Sequence, residues 1–190
     1  MRKHFNLGNV WGRVGGTKAE ESTEGKPYLS IQVECPNDLF GNIKTYGRLW
    51  GKEKIDAFMD HYKKNPGAAY RFRGFFSQYD KEEGLRLSNY TFYSWDVFNG
   101  AEFRASFVLV GQVAAIEEKK EEGVICLSLS REGAAEEEFV VYTLTLQDLA
   151  GISEGDVIEV KGVLRYKEPE DFFGASSHGT VKPYVMESRK

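Results

Sequence analysis

The sequence predicts an all-β chain folded as two tandem five-stranded barrels, the first with an α-helix between its third and fourth strands. Three observations lead there. Apolar residues alternate or fall in short runs almost everywhere, which is strand behaviour. Only one segment has convincing helical spacing. Local phrases of the first half return, in the same order, in the second.

In the first half, strands are expected near residues 5–14, 28–34, 43–50, 70–78 and 85–95. The helix falls between the third and fourth, over Lys52 to Asn65. Ile55, Phe58, Met59 and Tyr62 sit there at i, i+3, i+4 and i+7 on one face, and Pro66-Gly67 stops the run. In the second half, strands are expected near 105–116, 124–130, 138–147, 156–166 and 180–187, with a short turn or helix, Leu149 to Glu154, in the helix slot. Gly12-Arg13-Val14 matches Gly111-Gln112-Val113, and Arg73-Gly74-Phe75 matches Lys161-Gly162-Val163. Glycine inside a strand marks a bend or bulge of the kind a small barrel needs. The expected domains are therefore residues 1–98 and 103–190, joined by a linker from Asp96 to Glu102.

Five strands with a helix between the third and fourth is the order of an OB-fold barrel. The motifs themselves resemble one family. Phe107-Val108-Leu109-Val110-Gly111-Gln112-Val113 is similar to the opening strand of bacterial single-stranded DNA-binding proteins. Ile152 to Arg165, with Gly155-Asp156-Val157 and Lys161-Gly162-Val163 inside it, is similar to that family's fourth strand and the preceding turn. Arg48-Leu49-Trp50-Gly51-Lys52 resembles the end of its third strand. The resemblance implies binding of single-stranded DNA in replication, recombination or repair. It also implies assembly: four OB domains commonly make the working unit, so a homo-oligomer is expected, a dimer of double-barrel chains being favoured. The chain ends Met186 to Lys190 straight after its last expected strand, where the family has a flexible acidic tail, so recruitment of enzymes through such a tail is not expected.

Composition bounds the remaining classes. With 190 residues, 41% hydrophobic and 14% aromatic, the chain can bury a real core and is not disordered. Its longest nearly unbroken apolar stretch, Phe107 to Ile116, is far shorter than the roughly 18 residues a membrane helix needs. No secretory leader is visible after Met1-Arg2-Lys3-His4, so a cytoplasmic location is expected. Cys35 and Cys126 lack zinc-ligand spacing, and His4, His61 and His178 stand alone, so no metal or cofactor is implied. His61 reads as a surface residue of the helix. Phosphate-loop and dinucleotide fingerprints are missing, and no catalytic arrangement is visible, so the protein is not expected to be an enzyme.

Net charge is −4, but unevenly spread: residues 1–100 carry 15 Lys/Arg against 12 Asp/Glu, and residues 101–190 carry 10 against 17. The first half also holds 18 of the 26 aromatics, including Trp11, Trp50 and Trp95. Period-two alternation sorts its side chains by face. On the third strand, Lys44, Tyr46, Arg48 and Trp50 lie opposite Ile43, Thr45, Gly47 and Leu49. On the fourth, Arg71, Arg73 and Phe75 lie opposite Tyr70, Phe72, Gly74 and Phe76. On the first, Trp11 and Arg13 lie opposite Val10, Gly12 and Val14. Interleaved cations and rings suit an unpaired strand, phosphates meeting Arg and Lys while bases stack on the rings. With Tyr79 from the hairpin Tyr79 to Gly84, these ten residues form the expected binding set. The faces of strand 85–95 stay open, since a single bulge would swap them.

Two loops are also expected to be long: Gly15 to Pro27, and Tyr166 to Thr180 with its apolar Phe172-Phe173-Gly174. The second half presents Val141, Thr143 and Thr145 where the first has Tyr46, Arg48 and Trp50, and carries acid runs such as Glu136-Glu137-Glu138. It is expected to serve as scaffold or oligomerisation surface. The main expectation is therefore a sequence-independent single-stranded DNA binder. A non-catalytic protein–protein assembly module, or a binder of single-stranded RNA, are the alternatives.

Overall fold

The computed structural model describes residues 5–37, 41–82, 85–100, 102–119, 122–129, 137–143, 150–166 and 175–183. The elements are β1 (Phe5–Glu21), β2 (Pro27–Asn37), β3 (Gly41–Trp50), α1 (Lys52–Lys64), β4 (Ala69–Glu82) and β5 (Leu85–Val97). They continue with β6 (Arg104–Lys119), β7 (Glu122–Leu129), β8 (Glu137–Thr143), β9 (Val157–Tyr166) and β10 (Ala175–Pro183). The chain divides into two compact units. One comprises Leu7–Phe107 and Leu164–Ala175, the other Met1–Asn6, Val108–Val163 and Ser176–Lys190.

In the first unit five strands close on themselves. β1 pairs antiparallel with β2, β2 with β3, β3 runs parallel to β5, β5 pairs antiparallel with β4, and β4 returns to β1. This ring, β1-β2-β3-β5-β4, has the strand order of an OB barrel. Alternation decides its inside. Val10 of β1, Leu29, Ile31, Val33 and Cys35 of β2, Thr45 and Leu49 of β3, and Tyr70, Phe72 and Phe76 of β4 are all buried. Their odd-numbered or even-numbered neighbours face outward, as the sequence predicts for β1, β3 and β4.

Helix α1 closes one end of this core through its apolar stripe. Phe58 is fully buried and lies edge-on to Tyr70 and Trp95, with centroids 5.2 and 5.3 Å away, and 5.6 Å from Phe72. Asn65 ends the helix, its Nδ2 donating to the His61 carbonyl at 2.9 Å, and Pro66-Gly67 follow. His61 is not the surface residue its position suggests. Its Nδ1 lies 3.1 Å from the Tyr70 hydroxyl, and its ring packs against Tyr70 and Trp95. On the helix it follows the buried Phe58 by three residues, a spacing that sets both on one face.

The open question of β5 is answered by a bulge. Arg73 pairs with Ser94 and Gly74 pairs with Phe92, so Tyr93 is an extra residue without a ladder partner. Before it, Tyr90 and Phe92 point inward; after it, Trp95 stands opposite the buried Phe72 and packs beneath α1. Aromatics at both parities are thereby accommodated. Gly74 permits this: a Cβ there would collide with the Thr91 carbonyl. Gly12 works likewise on β1, where a Cβ would run into the Glu34 carbonyl and lie 2.7 Å from the Val33 side chain.

Several strands exceed their expected lengths. β1 runs on to Glu21, so most of the loop expected from Gly15 to Pro27 is strand, with a bulge between Val14 and Gly16. Only Ser22 to Lys26 turns, held by Gly25 N donating to Ser22 O and Lys26 N donating to Ser22 Oγ. The polar, Gly-rich composition hid an alternation that resumes after the bulge. β4 and β5 likewise extend to Glu82 and from Leu85, so the expected hairpin at Tyr79 is mostly ladder.

The second unit is built on β6. β7 pairs antiparallel with β6, β8 with β7, while β9 lies beside β6 and β10 beside β9. Among the described residues no pairing joins β8 to β10. Leu109, Val110, Val113, Phe139, Ile158 and Val160 are buried. The slot expected to hold a turn or helix is a turn over 150–155; Asp156 Oδ2 accepts from Ser153 N at 2.8 Å, and Val113 exchanges backbone hydrogen bonds with Gly155 and Asp156. The last strand begins at Ala175, five residues before the expected start, and residues 184–187 of the expected strand lie outside the described residues, as does Phe172-Phe173-Gly174. Among the described residues, no helix is long and apolar enough to cross a membrane.

Candidate nucleic-acid interface

The registers of β1, β2 and β3 place the predicted residues on one outward face, row by row. Arg13, Glu34 and Lys44 form the first row. Gly16, Gln32 and Tyr46 form the second, Lys18, Ser30 and Arg48 the third, and Glu20, Tyr28 and Trp50 the fourth. Five of the ten predicted residues, Arg13, Lys44, Tyr46, Arg48 and Trp50, thus come together across three adjacent strands. The inward neighbours Leu29, Ile31, Val33, Thr45 and Leu49 are buried beneath them, so the row rests on a packed support.

The last rows hold the densest chemistry. Tyr28 and Trp50 meet across the ladder with centroids 4.8 Å apart and planes 35° apart. The Arg48 guanidinium lies over the Tyr28 ring at 5.1 Å, a cation–π contact. Tyr28 was missed by the sequence reading, although it stands just before an alternating run, Leu29, Ile31, Val33, that fixes its outward parity. Beside this pair Glu20 accepts from Lys18 Nζ at 2.7 Å and from Ser30 Oγ at 2.6 Å. Lys18 first, then Ser30, hold the Glu20 carboxyl below the usual carboxylate range. The hairpin tip and Trp50 enclose an open groove of about 450 Å³ lined by Ser22, Thr23, Glu24, Lys26, Trp50 and Thr91.

Of the remaining predicted residues Trp11 lies on early β1 and Arg71, Arg73, Phe75 and Tyr79 on β4, and intramolecular contacts engage the first four. Trp11 stands opposite Arg71. Its ring is covered by the Arg104 guanidinium at 3.5 Å and lies 5.1 Å from Phe98, while its Nε1 is buried without a hydrogen-bond partner. Arg71 forks onto Asp96 through Nε and NH2 at 3.0 Å, and Arg73 reaches the same carboxylate at 3.3 Å. One acid thus offsets much of the charge of two arginines. Arg13 also lies 5.8 Å from the centroid of the Phe103 ring. Phe75 is half-buried against Tyr93. For Tyr79 only the backbone position opposite Leu87 is described.

No group of three or more His, Cys, Asp or Glu is arranged to hold a metal among the described residues. Cys35 lies in the barrel core, where burial pushes its thiol up to about 12.

The closed five-strand order and the helix between β3 and β4 define an OB-type barrel, which carries an outward row of rings and cations. Compared with solved structures, the chain is similar over its whole length to the single-stranded DNA-binding protein from Thermus aquaticus. The wild-type protein aligns with a TM-score of 0.68 at 14% identity, covering 99% of this chain and 97% of that one. A deletion mutant of it aligns with a TM-score of 0.66 at 13% identity, covering 98% of each chain. The likeness shows a shared fold. No protein-family model matches the sequence, and neither does any curated protein.

Proposed function

We propose that this protein binds single-stranded DNA through the outward face of β1, β2 and β3, with little sequence preference. The observation that carries the reading is the Tyr28–Trp50 pair with Arg48 beside it, set on a rigid barrel wall. Bases stack on the two rings and on Tyr46, while Arg13, Lys44 and Arg48 meet phosphates. A ring face reads no base edge, so the binding is tolerant of sequence. The similar solved structures, of the single-stranded DNA-binding protein from Thermus aquaticus, support the same reading. The role that follows is the protection of exposed single strands during replication, recombination or repair, within the cell and without catalysis.

Trp11, Arg71 and Arg73 belong to the proposed set as a secondary group, because Arg104 and Asp96 already occupy them. The second unit supplies a second barrel of the same plan, β6 to β10 answering to β1 to β5, and serves as scaffold. Its order β10-β9-β6-β7-β8 repeats the order β5-β4-β1-β2-β3 of the first. Two such chains form the working dimer.

Tryptophan fluorescence tests the reading. Oligo(dT) should quench emission at low salt, a matched duplex should act weakly, and affinity should fall as salt rises. Oligo(U) ranks RNA against DNA. Absence of quenching together with absence of a gel shift at low salt would move the reading to an assembly module.

A further inference from the structure

The stacking face need not stop at β3. Leu49 and Phe92 are the last registered pair of the parallel β3–β5 ladder, and the residues that follow them are Trp50 and Tyr93. Tyr93 is the unpaired bulge residue of β5, and it is 45% exposed between the buried Phe92 and the half-buried Ser94. Its ring stacks on Phe75 of β4, with centroids 6.4 Å and planes 30° apart. Aromatic rings therefore occur on four adjacent strands: Tyr28 on β2, Trp50 on β3, Tyr93 on β5 and Phe75 on β4. Neighbouring strands lie about 4.8 Å apart, so the belt covers about 14 Å of barrel circumference.

Two further observations join the ring pairs into one surface. Thr91 stands opposite Arg48 on one side and opposite Phe75 on the other, and it also lines the groove that contains Trp50. The bulge is pinned from α1, whose Lys54 Nζ donates to the Tyr93 carbonyl at 3.0 Å. A bulge carbonyl has lost its ladder partner, and a lysine supplies the missing donor while setting a positive charge beside the ring. Arg73, the bulge-side neighbour on β4, is turned to Asp96, so Lys54 is the cation placed at the bulge.

We infer that Phe75 and Tyr93 form a second base-stacking platform, so that a bound single strand crosses β2, β3, β5 and β4 with Lys54 meeting its phosphates. The inference rests on the proposed function and extends it, by assigning a role to Tyr93 and Lys54 and a direction to the strand.

The test uses the full chain and oligo(dT) of about 16 nucleotides, the upper site size of one OB fold. Tyr93→Ala should weaken binding by roughly 5- to 150-fold, the range of one base–ring stack, and Tyr93→Phe should restore it. Iodouracil placed along the oligonucleotide should photocrosslink to the peptide carrying Tyr93. Since Tyr93 is exposed, thermal melting should be unchanged, and Tyr93→Leu gives a second variant that keeps the apolar bulk without the ring. Wild-type affinity in Tyr93→Ala and Tyr93→Leu, alongside weakened binding by Trp50→Ala, overturns the inference and leaves the proposed function standing. A change of oligomeric mass with unchanged DNA affinity also overturns it, by making the platform a protein contact. Failure of the wild-type chain to bind oligo(dT) removes both.

Discussion

Tyr28 and Trp50 occupy directly opposite positions of the β2–β3 ladder, and their rings meet at 4.8 Å. Under the proposed function the two packed rings offer a base a preformed surface. Trp50→Ala should therefore reduce oligo(dT) affinity by about 1–3 kcal/mol while leaving the oligomeric mass unchanged. Tyr28→Ala should cost less than Trp50→Ala if Trp50 carries the main contact. Titration of the single and double variants reads their coupling directly.

The cations of the face predict the salt dependence. Removing Arg48 should make the log–log salt slope shallower by about 0.7, the increment for one phosphate on a single strand. Glu20→Gln should do the reverse, because it releases Lys18 from a 2.7 Å ion pair and removes a negative charge next to Tyr28. Binding measured at several salt concentrations separates the two.

The same carboxylate sets an acid limb of stability. Its pKa is depressed in the folded chain, chiefly by Lys18, so its contribution is present above the unfolded carboxyl value and fades as pH falls through the folded one. The pair is exposed and its effect is small. Urea midpoints compared from pH 7 to pH 3 should show wild type losing slightly more stability than Glu20→Gln.

Gly74→Ala should destabilise the first barrel by about 1–3 kcal/mol, since the added methyl collides with the Thr91 carbonyl across the β4–β5 ladder. Denaturant unfolding followed through Trp95, which sits beneath α1 near the same ladder, is the appropriate probe.

Cys35 should resist alkylation at pH 8 in the native protein, because a buried thiol at about 12 supplies almost no thiolate. Peptide mapping after iodoacetamide treatment should find it labelled only when denaturant is added.

The alternation of β3 and β4 was legible because buried and outward residues differ sharply in type: Thr45 and Leu49 against Lys44, Tyr46 and Arg48. The helix was legible from four apolar residues at helical spacing. Late β1 was hidden by its own chemistry. Thr17-Lys18-Ala19-Glu20 is polar on both faces, and only its pairing with Leu29, Ser30 and Ile31 makes it a strand. Tyr93 was illegible for another reason: a bulge inserts one residue into the period, and nothing local distinguishes the register before it from the register after it. The intramolecular use of Arg71 and Arg73 was equally hidden, since Asp96 is 25 residues from Arg71 in sequence and reaches it only through the β4–β5 ladder.

The extra residue in β5 also governs which sequence changes this barrel can absorb. Substitutions at Tyr93 alter an outward ring and spare the core. Deleting it would leave the flanking pairs as they are, Gly74 with Phe92, Arg73 with Ser94 and Phe72 with Trp95, and would restore unbroken alternation along β5. Trp95 would keep its place against Phe58, while the outward ring and the local bend would be lost. Position 93 is thus the one place between Phe92 and Trp95 where the strand can shed a residue without turning its core side chains outward, so relatives of this chain should be free to vary there in length as well as in residue type.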